Sequence, residues 1–206
     1  MNTTSRQSGF SLIEVLVVVA IAAGVVLVVS NFSNNITGLD VLVNSELQSK
    51  SDVSQTLQIM TEEIHSASVS ANGAYAIDSA TGTSFAFYSD INKNGQAEHV
   101  RYFYSTSTIY KGVIAPSGTP PTYPTSSEVI TDVVDNAIVT TSSPLFTYYD
   151  SSYTGSQSPM TYPIAVQSIR LVKVAFTVQT NTTSTKQKSP LQYFSNLIDL
   201  RNLDSN

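Results

Sequence analysis

One short segment concentrates the side chains best suited to binding a cation. Within DINKNGQAE, residues 90–98, oxygen-bearing side chains alternate with other residues, and a glycine follows the third of them. Alternating oxygen ligands that converge on one hard cation, with a glycine that allows a sharp bend, are typical of calcium loops. The segment therefore predicts a candidate Ca²⁺ site. Its five ligand residues, with Gln96 acting through its backbone carbonyl, are Asp90, Asn92, Asn94, Gln96 and Glu98.

The same segment also fits a simpler interpretation, a β-hairpin turn. Asp and Asn side chains hydrogen-bond nearby backbone groups and tolerate left-handed backbone conformations. Only Asp90 and Glu98 of the five candidate ligands are anionic, and Arg101 stands where an EF-hand has its bidentate glutamate. A predicted strand follows the segment, whereas a helix follows in an EF-hand. Both interpretations stay open on the sequence.

The rest of the chain lacks the residue combinations that catalysis or nucleic-acid binding requires. There are no cysteines, which excludes disulfides, thiolate metal sites and a cysteine nucleophile. His65 and His99 do not have zinc-type spacing, and no Walker, G-x-S-x-G or H-E-x-x-H motif occurs. Acidic pairs such as Glu62 and Glu63 are expected on solvated faces. A net charge of −5 without a basic cluster argues against nucleic acid as a partner, and we expect no enzyme activity.

An apolar segment near the N-terminus predicts a membrane-spanning helix. Residues 10–29, FSLIEVLVVVAIAAGVVLVV, carry one charge. As a helix they would be about 30 Å long, which matches the hydrocarbon core of a bilayer. Arg6 is the only charge before them, which favours a cytoplasmic N-terminus. A secretory signal peptide cut near Ser30 is the alternative, although the apolar core of a signal peptide is usually about 7–15 residues long.

Glu14 is the residue of this segment that a simple membrane anchor leaves unexplained. A carboxylate inside a membrane helix costs about 2–3 kcal/mol, so it normally has a partner and a purpose. Arg6 is two helical turns away in a polar leader and does not pair with it. A positive group from another chain is therefore the expected partner of Glu14.

The run GFSLIEVL, residues 9–16, resembles the class III signal of type IV prepilins and type II secretion pseudopilins. The shared features are a short polar leader, Gly at the cut, Phe next, Glu four residues later and an apolar helix. The resemblance implies that prepilin peptidase, a membrane aspartyl protease, cleaves between Gly9 and Phe10 and then methylates Phe10. It also implies that Glu14 neutralises the N-terminal ammonium group of a neighbouring subunit during assembly.

Beyond the membrane segment, apolar residues recur every three to six positions, which approximates an amphipathic helix. They are Leu39, Leu42, Leu47, Val53, Leu57, Met60 and Ile64. The simplest interpretation is that this stripe packs on a sheet as part of the core. A partner-binding coiled coil is the alternative.

From about residue 74 the apolar period changes to two, which predicts strands. The predicted strands are 84–89, 99–105, 108–114, 129–134, 145–150, 169–180 and 191–203, and the first two form a hairpin. The long strand 169–180 should have one buried and one wet face, as in an antiparallel sheet. Its expected inward residues are Val172, Val174, Phe176 and Val178, and its expected outward ones are Lys173, Ala175 and Thr177. Three Ser/Thr/Pro-rich segments, 115–128, 151–163 and 181–190, are expected to be exposed loops.

Together these elements predict an α+β fold in which a long N-terminal helix packs on an antiparallel β-sheet domain, as in pilins. The predicted organisation is a leader peptide at 1–9 and a transmembrane and assembly helix at 10–30. An amphipathic helix at 31–70 and an extracytoplasmic β-rich domain at 71–206 follow.

A second, shorter resemblance favours a minor subunit. The hairpin with its Asp/Asn-rich turn, the segment TYYD at 147–150, the strand around 170–176 and the closing LRNL at 200–203 resemble larger minor pilins and J-class minor pseudopilins. Many major pilins also carry a proline within the membrane segment, whereas the first proline here is Pro116. The resemblance implies a minor subunit of a pilus, type II secretion or competence filament. Its partners would be other pilin or pseudopilin subunits, prepilin peptidase and the inner membrane, which the chain would cross once.

A different class of function is a membrane-anchored adhesin or substrate-binding module at a filament tip. Three of the eleven tyrosines, Tyr123, Tyr153 and Tyr162, lie in predicted loops and would form an adhesive surface if they were exposed. Position and copy number in purified filaments separate this function from that of a structural subunit.

Overall fold

A computed structural model of the chain describes residues 11–179 and 191–200, excepting the side chains of 31–46 and 49. The described residues form one long helix followed by two antiparallel sheets. The chain divides into two compact units, Met1–Leu47 and Gln48–Asn206. The α+β class and the pilin-like order of elements predicted from the sequence are confirmed.

The helix, α1, spans Leu12–His65 and contains 54 residues. Its stretch Leu12–Ser30 is long and apolar enough to cross a membrane, by length and composition. In the second unit, α1 buries one stripe of apolar residues in the core. The buried members of the predicted stripe are Val53, Met60 and Ile64. Leu57 is partly buried and Leu47 is exposed, while the side chains at 39 and 42 lie outside the description.

The first sheet has five strands in chain order, and each neighbouring pair is antiparallel. The strands are β1 Ile77–Ala80, β2 Ser84–Ser89, β3 Glu98–Ser105, β4 Thr108–Ile114 and β5 Val129–Val134. β2 and β3 form the predicted hairpin around the 90–98 segment. β1 was not predicted, because a strand of four residues is too short to show a convincing alternation.

The second sheet is built around one long strand. Its members are β6 Ala137–Ile138, β7 Phe146–Tyr149, β8 Leu171–Gln179 and β9 Leu191–Asp199. β9 pairs with β8 along its whole length, whereas β6 and β7 pair with opposite ends of β8 on its other side. The predicted segment 181–190 and the end of the predicted last strand, 201–203, lie outside the described residues.

One face of β8 is buried, as its alternation predicted. All four expected inward residues are at most 5% exposed: Val172, Val174, Phe176 and Val178. Ala175, expected on the wet face, is buried as well. The outward prediction for Ala175 was therefore wrong, although it shares a face with Lys173 and Thr177, which are partly exposed.

Aromatic rings connect the two sheets within the core. The ring centroids of Phe85 on β2 and Tyr148 on β7 are 5.6 Å apart, and Phe146 is 5.7 Å from Phe85. All three residues are fully buried. Ring contacts of this geometry stabilise a core by more than the burial of their apolar surface alone. Residues about sixty positions apart therefore hold the two sheets together.

Glu63, in the last turn of α1, is not on a solvated face, so the sequence prediction for it was wrong. The Tyr102 hydroxyl donates a hydrogen bond to Glu63 Oε2 at 2.7 Å, and Lys111 Nζ forms an ion pair with Oε1. The side chains of Glu63 and Lys111 are only 14% and 16% exposed. Burial is the main cause that raises the pKa of Tyr102 far above its usual range, and the nearby Glu63 carboxylate is the second. The hydroxyl therefore remains protonated and acts as a donor. The contacts tie the helix to β3 and β4.

Gly112 on β4 allows a carboxylate to cross the outer face of the first sheet. Arg101 on β3 and Ile130 on β5 are its cross-strand neighbours. Arg101 Nε and Nη2 donate to the Glu128 carboxylate at 2.9 and 2.8 Å, and the Glu128 side chain lies directly over Gly112. A Cβ atom at position 112 would be 2.1 Å from Glu128 Oε1. Glycine therefore leaves the space over β4 that the Glu128 side chain occupies when it pairs with Arg101.

We expect Gly112→Ala to lower the free energy of unfolding by about 1 kcal/mol, the upper range for a partly exposed bidentate ion pair. The added methyl group displaces the Glu128 carboxylate from Arg101. In a Glu128→Ala background the same substitution should be neutral or stabilising, because alanine suits a strand better than glycine. Urea denaturation of the unaltered chain, the two single variants and the double variant measures the free energies of unfolding in this double-mutant cycle. An equal loss in both backgrounds would contradict the proposed clash.

Candidate functional site

Helix α1 begins with a capped first turn that contains Glu14. The Glu14 backbone N–H donates to the backbone oxygen of Ser11 at 3.1 Å and to Ser11 Oγ at 3.4 Å. A serine followed three residues later by glutamate is the signature of a capping box, which satisfies free N–H groups at a helix start. The local sequence therefore explains why α1 begins at Leu12. Ser11 is a site residue that the sequence interpretation missed, although the S-x-x-E spacing signals it.

Glu14 is exposed and can be contacted from outside the chain. The helix macrodipole favours a negative charge in the first turn, so the position tolerates a carboxylate without a cation beside it. Within residues 11–179 and 191–200, the carboxylate has no ion-pair partner. Gly9 and Phe10, the predicted cleavage and methylation residues, lie outside the described part of the chain.

The apolar side chains of Leu12–Ser30, on both sides of Glu14, form a surface that nothing in the described chain covers. None of Leu12–Ser30 is buried, and the large hydrophobic residues range from 49% exposed at Val17 to 83% at Leu12. Exposed apolar surfaces of this extent mark contacts with a membrane or with other proteins. The segment therefore combines an apolar helix with one acid at its start, which can enter a bilayer and accept one positive group.

The 90–98 segment forms the tight turn between β2 and β3. Asp90 accepts backbone N–H groups with both carboxylate oxygens, from Asn94 at 3.0 Å and from Gly95 at 2.8 Å. Asn92 Oδ1 accepts the Asn94 N–H at 3.0 Å, and Asn94 Oδ1 accepts the Gln96 N–H at 2.8 Å. Side-chain oxygens of three of the five candidate ligands are thus directed at the same short stretch of backbone.

The turn depends on two residues with left-handed backbone conformations. Lys93 has φ 59° and Gly95 has φ 86°. Glycine adopts this conformation without strain, which explains its place after the third oxygen-bearing residue. The hairpin-turn interpretation of the sequence therefore describes the local backbone well.

Glu98, the fifth candidate ligand, is 2% exposed and closes the turn from inside. Its Oε2 accepts the Ile91 N–H at 3.1 Å, and its Oε1 accepts a hydrogen bond from Asn92 Nδ2. A buried carboxylate is costly unless it is hydrogen-bonded, and here both oxygens are. Within the described residues, no three His, Cys, Asp or Glu side chains are grouped to hold a metal ion. Calcium binding by the two acids and three amide residues stays a prediction.

We expect the melting temperature of the detergent-purified chain to be higher in millimolar Ca²⁺ than in chelator if the turn binds calcium. Asp90→Ala should lower the melting temperature in chelator, because two backbone N–H groups lose their acceptor. Asp90→Ala should also abolish the increase in melting temperature that calcium causes. Asp132→Ala is the matched control, since Asp132 is exposed on β5 and outside the turn. Equal melting temperatures of the unaltered chain with and without calcium would contradict the calcium site and leave only the hairpin-turn interpretation.

The two histidines make structural contacts. His65 Nδ1 donates to the backbone oxygen of Asp199 at 2.7 Å and joins the end of α1 to β9. His99 Nε2 donates to Asp78 Oδ2 at 3.2 Å, and its ring lies 5.1 Å from that of Tyr88. Among the described residues, neither belongs to a group of three side chains that could hold a metal ion.

The three loop tyrosines differ in how far they reach solvent. The Tyr123 hydroxyl donates to the backbone oxygen of Ala97 at 2.7 Å and accepts from the Ala71 N–H at 2.9 Å. The Tyr153 ring lies 4.2 Å from that of its neighbour Tyr149. Only Tyr162 among the three is exposed, at 48%, and its hydroxyl donates to the Phe146 backbone oxygen at 3.0 Å. A shared adhesive surface of three exposed tyrosines, as the sequence suggested, does not form.

Comparison with known proteins identifies the N-terminal segment. Residues 4–30 match the family model described as the prokaryotic N-terminal methylation motif. No curated protein matches the chain. The matched residues contain the capped first turn, Glu14 and the exposed apolar helix. The motif implies assembly with other pilin subunits and with a membrane. The motif, the N-terminal apolar helix and the antiparallel sheets together fit a type IV pilin-like prepilin.

Proposed function

We propose that the chain is a minor structural subunit of a type IV pilus-like filament or type II secretion pseudopilus. The observation that carries the proposal is the methylation motif at 4–30 on a helix with an exposed apolar surface and an exposed Glu14 in its first turn. Such a helix gains stability only when lipid or neighbouring helices cover it. In a filament subunit, lipid covers the apolar surface of the helix before assembly, and other subunits cover it afterwards.

Prepilin peptidase cleaves between Gly9 and Phe10 in this proposal and methylates the new amino group of Phe10. The cleavage frees a positive charge next to the apolar helix. Glu14 lies about 6 Å further along the helix axis, since each residue contributes about 1.5 Å. The amine of a neighbour displaced along the filament axis can approach this carboxylate. The amine of the same chain stands at the start of the helix, and Glu14 is a turn further on, which disfavours pairing within one chain. Pairing between chains therefore neutralises both charges in the apolar filament core.

The membrane topology follows from the same segment. Arg6 precedes the apolar helix, which favours a cytoplasmic N-terminus. The chain then crosses the inner membrane once, and the unit from Gln48 onward lies on the extracytoplasmic side. Minor rather than major status is supported by the absence of proline before Pro116 and by the short motifs of the second unit that resemble minor pilins.

Intact-mass measurement of the membrane-extracted protein tests the processing. The expected mass corresponds to residues 10–206 plus one methyl group. A chain of 206 residues, or a shortened chain beginning after Ser30, would contradict the proposal. Quantification against the major subunit in purified filaments tests minor status, and a stoichiometric amount would contradict it.

An adhesin or substrate-binding module at the filament tip is the second candidate function. The exposed ring of Tyr162 is the observation that favours it, since exposed aromatic residues are frequent in binding surfaces. Immunogold labelling of the second unit discriminates between the two functions. Label confined to tips together with loss of surface binding in Tyr162→Ala favours the module, and label along the filament favours the structural subunit.

A further inference from the structure

Two Asn-Gly pairs occur in the chain, and one of them lies in the turn between β2 and β3. This pair is Asn94–Gly95, and the other is Asn72–Gly73. All four residues are exposed, and both glycines have left-handed backbones, with φ 86° at Gly95 and 85° at Gly73. The side-chain amide of an asparagine before glycine can react with the backbone nitrogen of that glycine, because no Cβ atom crowds the five-membered ring that forms. The groups around each pair then decide how fast it reacts.

Around Asn94 the turn places the groups that such a reaction needs. The nucleophile is the Gly95 backbone nitrogen, whose N–H donates to Asp90 Oδ2 at 2.8 Å, within the reach of a general base. The other carboxylate oxygen of Asp90 accepts the Asn94 N–H at 3.0 Å, which holds the carboxylate in place. The Gln96 N–H donates at 2.8 Å to Asn94 Oδ1, the atom that becomes negative when the nitrogen attacks Cγ. A base therefore contacts the nucleophile, and a hydrogen-bond donor contacts the carbonyl that it attacks.

Asn72 has a similar turn without the base. Its Oδ1 accepts the Ser70 hydroxyl at 2.6 Å and the Ala74 N–H at 3.3 Å, so its carbonyl is polarised as well. The Gly73 N–H, however, donates to the backbone oxygen of Ser70 at 3.0 Å. A peptide oxygen accepts a hydrogen bond but is a far weaker base than a carboxylate. The two pairs therefore differ chiefly in the group that contacts the nucleophile.

We propose that Asn94 is a site of self-catalysed deamidation in the folded chain, with Asp90 as the general base. The Gly95 nitrogen attacks Asn94 Cγ, Asp90 takes the proton of that nitrogen, and the new C–N bond closes a cyclic imide. The bond from Cγ to Nδ2 breaks, Asp90 returns the proton to the leaving nitrogen, and ammonia departs. A water molecule then opens the imide at either carbonyl and leaves aspartate or isoaspartate at position 94. The net reaction consumes one water and releases one ammonia.

The reaction changes the charge of an exposed turn. Opening of the imide adds one carboxylate, so the five candidate calcium ligands would contain three acids where the encoded sequence has two, Asp90 and Glu98. The number of charged ligands is one of the factors that set the calcium affinity of such loops. The reaction depends on the β2–β3 turn alone and not on the proposed filament function.

Incubation of the detergent-purified full-length chain at neutral pH, followed by peptide mass mapping, tests the proposal. A chelator keeps divalent cations away from Asp90. In the folded chain Asn94 should be converted several-fold faster than Asn72, whereas in urea, where the turn is lost, the two rates should be similar. Equal rates in the folded chain would overturn the proposal. A ratio that urea leaves unchanged would overturn it as well, because the folded turn would then contribute nothing.

Asp90→Asn removes the base and keeps a side-chain oxygen that can accept a backbone N–H. Conversion of Asn94 should fall toward the rate of Asn72, and the rate of Asn72 should not change. Faster conversion of Asn94 in this variant would overturn the proposal, since the hydrogen bond from Gly95 would then protect the nitrogen. Asp132→Asn is the matched control, because Asp132 is exposed on β5 and outside the turn, and it should leave both rates unchanged.

Asp90→Glu separates the loss of the base from a loosened turn. Glutamate restores a carboxylate on a side chain longer by one methylene, so this variant should convert Asn94 faster than Asp90→Asn does. Equal rates in the two variants would contradict the role of the carboxylate as the base. The intact mass of the same samples reports cleavage at Phe10 independently, so a failure of the proposed processing and a failure of this reaction are read separately.

Discussion

A Gly9→Val chain is expected to accumulate in the membrane at full length, without methylation and without incorporation into filaments. The branched side chain would stand directly before the proposed scissile bond, where the chain has a residue with no side chain. A protease that accepts glycine at this place through a close backbone approach has no room for the isopropyl group of valine. Since the amine of Phe10 is released only by cleavage, assembly should be lost with processing. Immunoblotting of membrane fractions and intact mass measure both effects.

Gly24→Val is the matched control for this substitution. Gly24 lies within the apolar helix, and a Cβ atom there would meet nothing within 4 Å. The same chemical change should therefore leave cleavage intact, because it lies beyond the cleavage site. Normal shortening of the Gly9→Val chain would refute processing by prepilin peptidase at this bond.

A Glu14→Leu chain is expected to insert into the membrane and to be cleaved normally, yet to join filaments poorly. Insertion improves because the apolar helix loses its one charge. Assembly suffers because the ammonium group of the neighbour would enter the filament core without a partner. Breaking a buried ion pair by removing one member costs about 3–5 kcal/mol, which corresponds to roughly two to four orders of magnitude in an association constant. Comparing membrane and filament fractions of the tagged chain measures the loss.

Glu14→Gln separates the charge from the helix cap. Glutamine serves in a capping box as well as glutamate does, so the first turn at Ser11 should be retained. If charge pairing is the function of Glu14, the Gln chain should fail to assemble like the Leu chain. Ser11→Ala, which removes the cap and keeps the charge, should assemble more readily than either. Subunits at a filament tip have no neighbour above them, so incorporation is scored along the shaft. Incorporation of Glu14→Leu there at the unaltered level would exclude charge pairing.

The sequence determined those features that depend on neighbouring residues along the chain. The apolar run from residue 10 predicted the exposed helix, and the polar leader, Gly9, Phe10 and Glu14 predicted the methylation motif that matches at 4–30. The alternation in β8 predicted its buried face, and the hairpin-turn interpretation of the Asp90 segment agrees with the tight turn in which Gly95 has a left-handed conformation. All of these follow from periods and spacings of a few residues, because helices, strands and turns are local structures.

Tertiary structure decided those features that join residues distant in sequence. Glu63 acquires partners 39 and 48 residues away, at Tyr102 and Lys111, and is therefore not the solvated acid that its sequence neighbours suggested. Gly112 leaves the space that Glu128 crosses to reach Arg101. These outcomes depend on which strands become neighbours.

Among the described residues, the edge positions of β5 and β9 are likewise a product of strand order. β5 and β9 have the alternating or β-branched sequences of ordinary strands, and nothing local marks either as an edge. Each becomes one because the five-stranded sheet ends at β5 and because β8 receives β9 on one side and β6 and β7 on the other. A strand pattern specifies which side chains share a face, since their period is two. Pairing between strands far apart in the chain specifies which backbone edges and side chains remain uncovered.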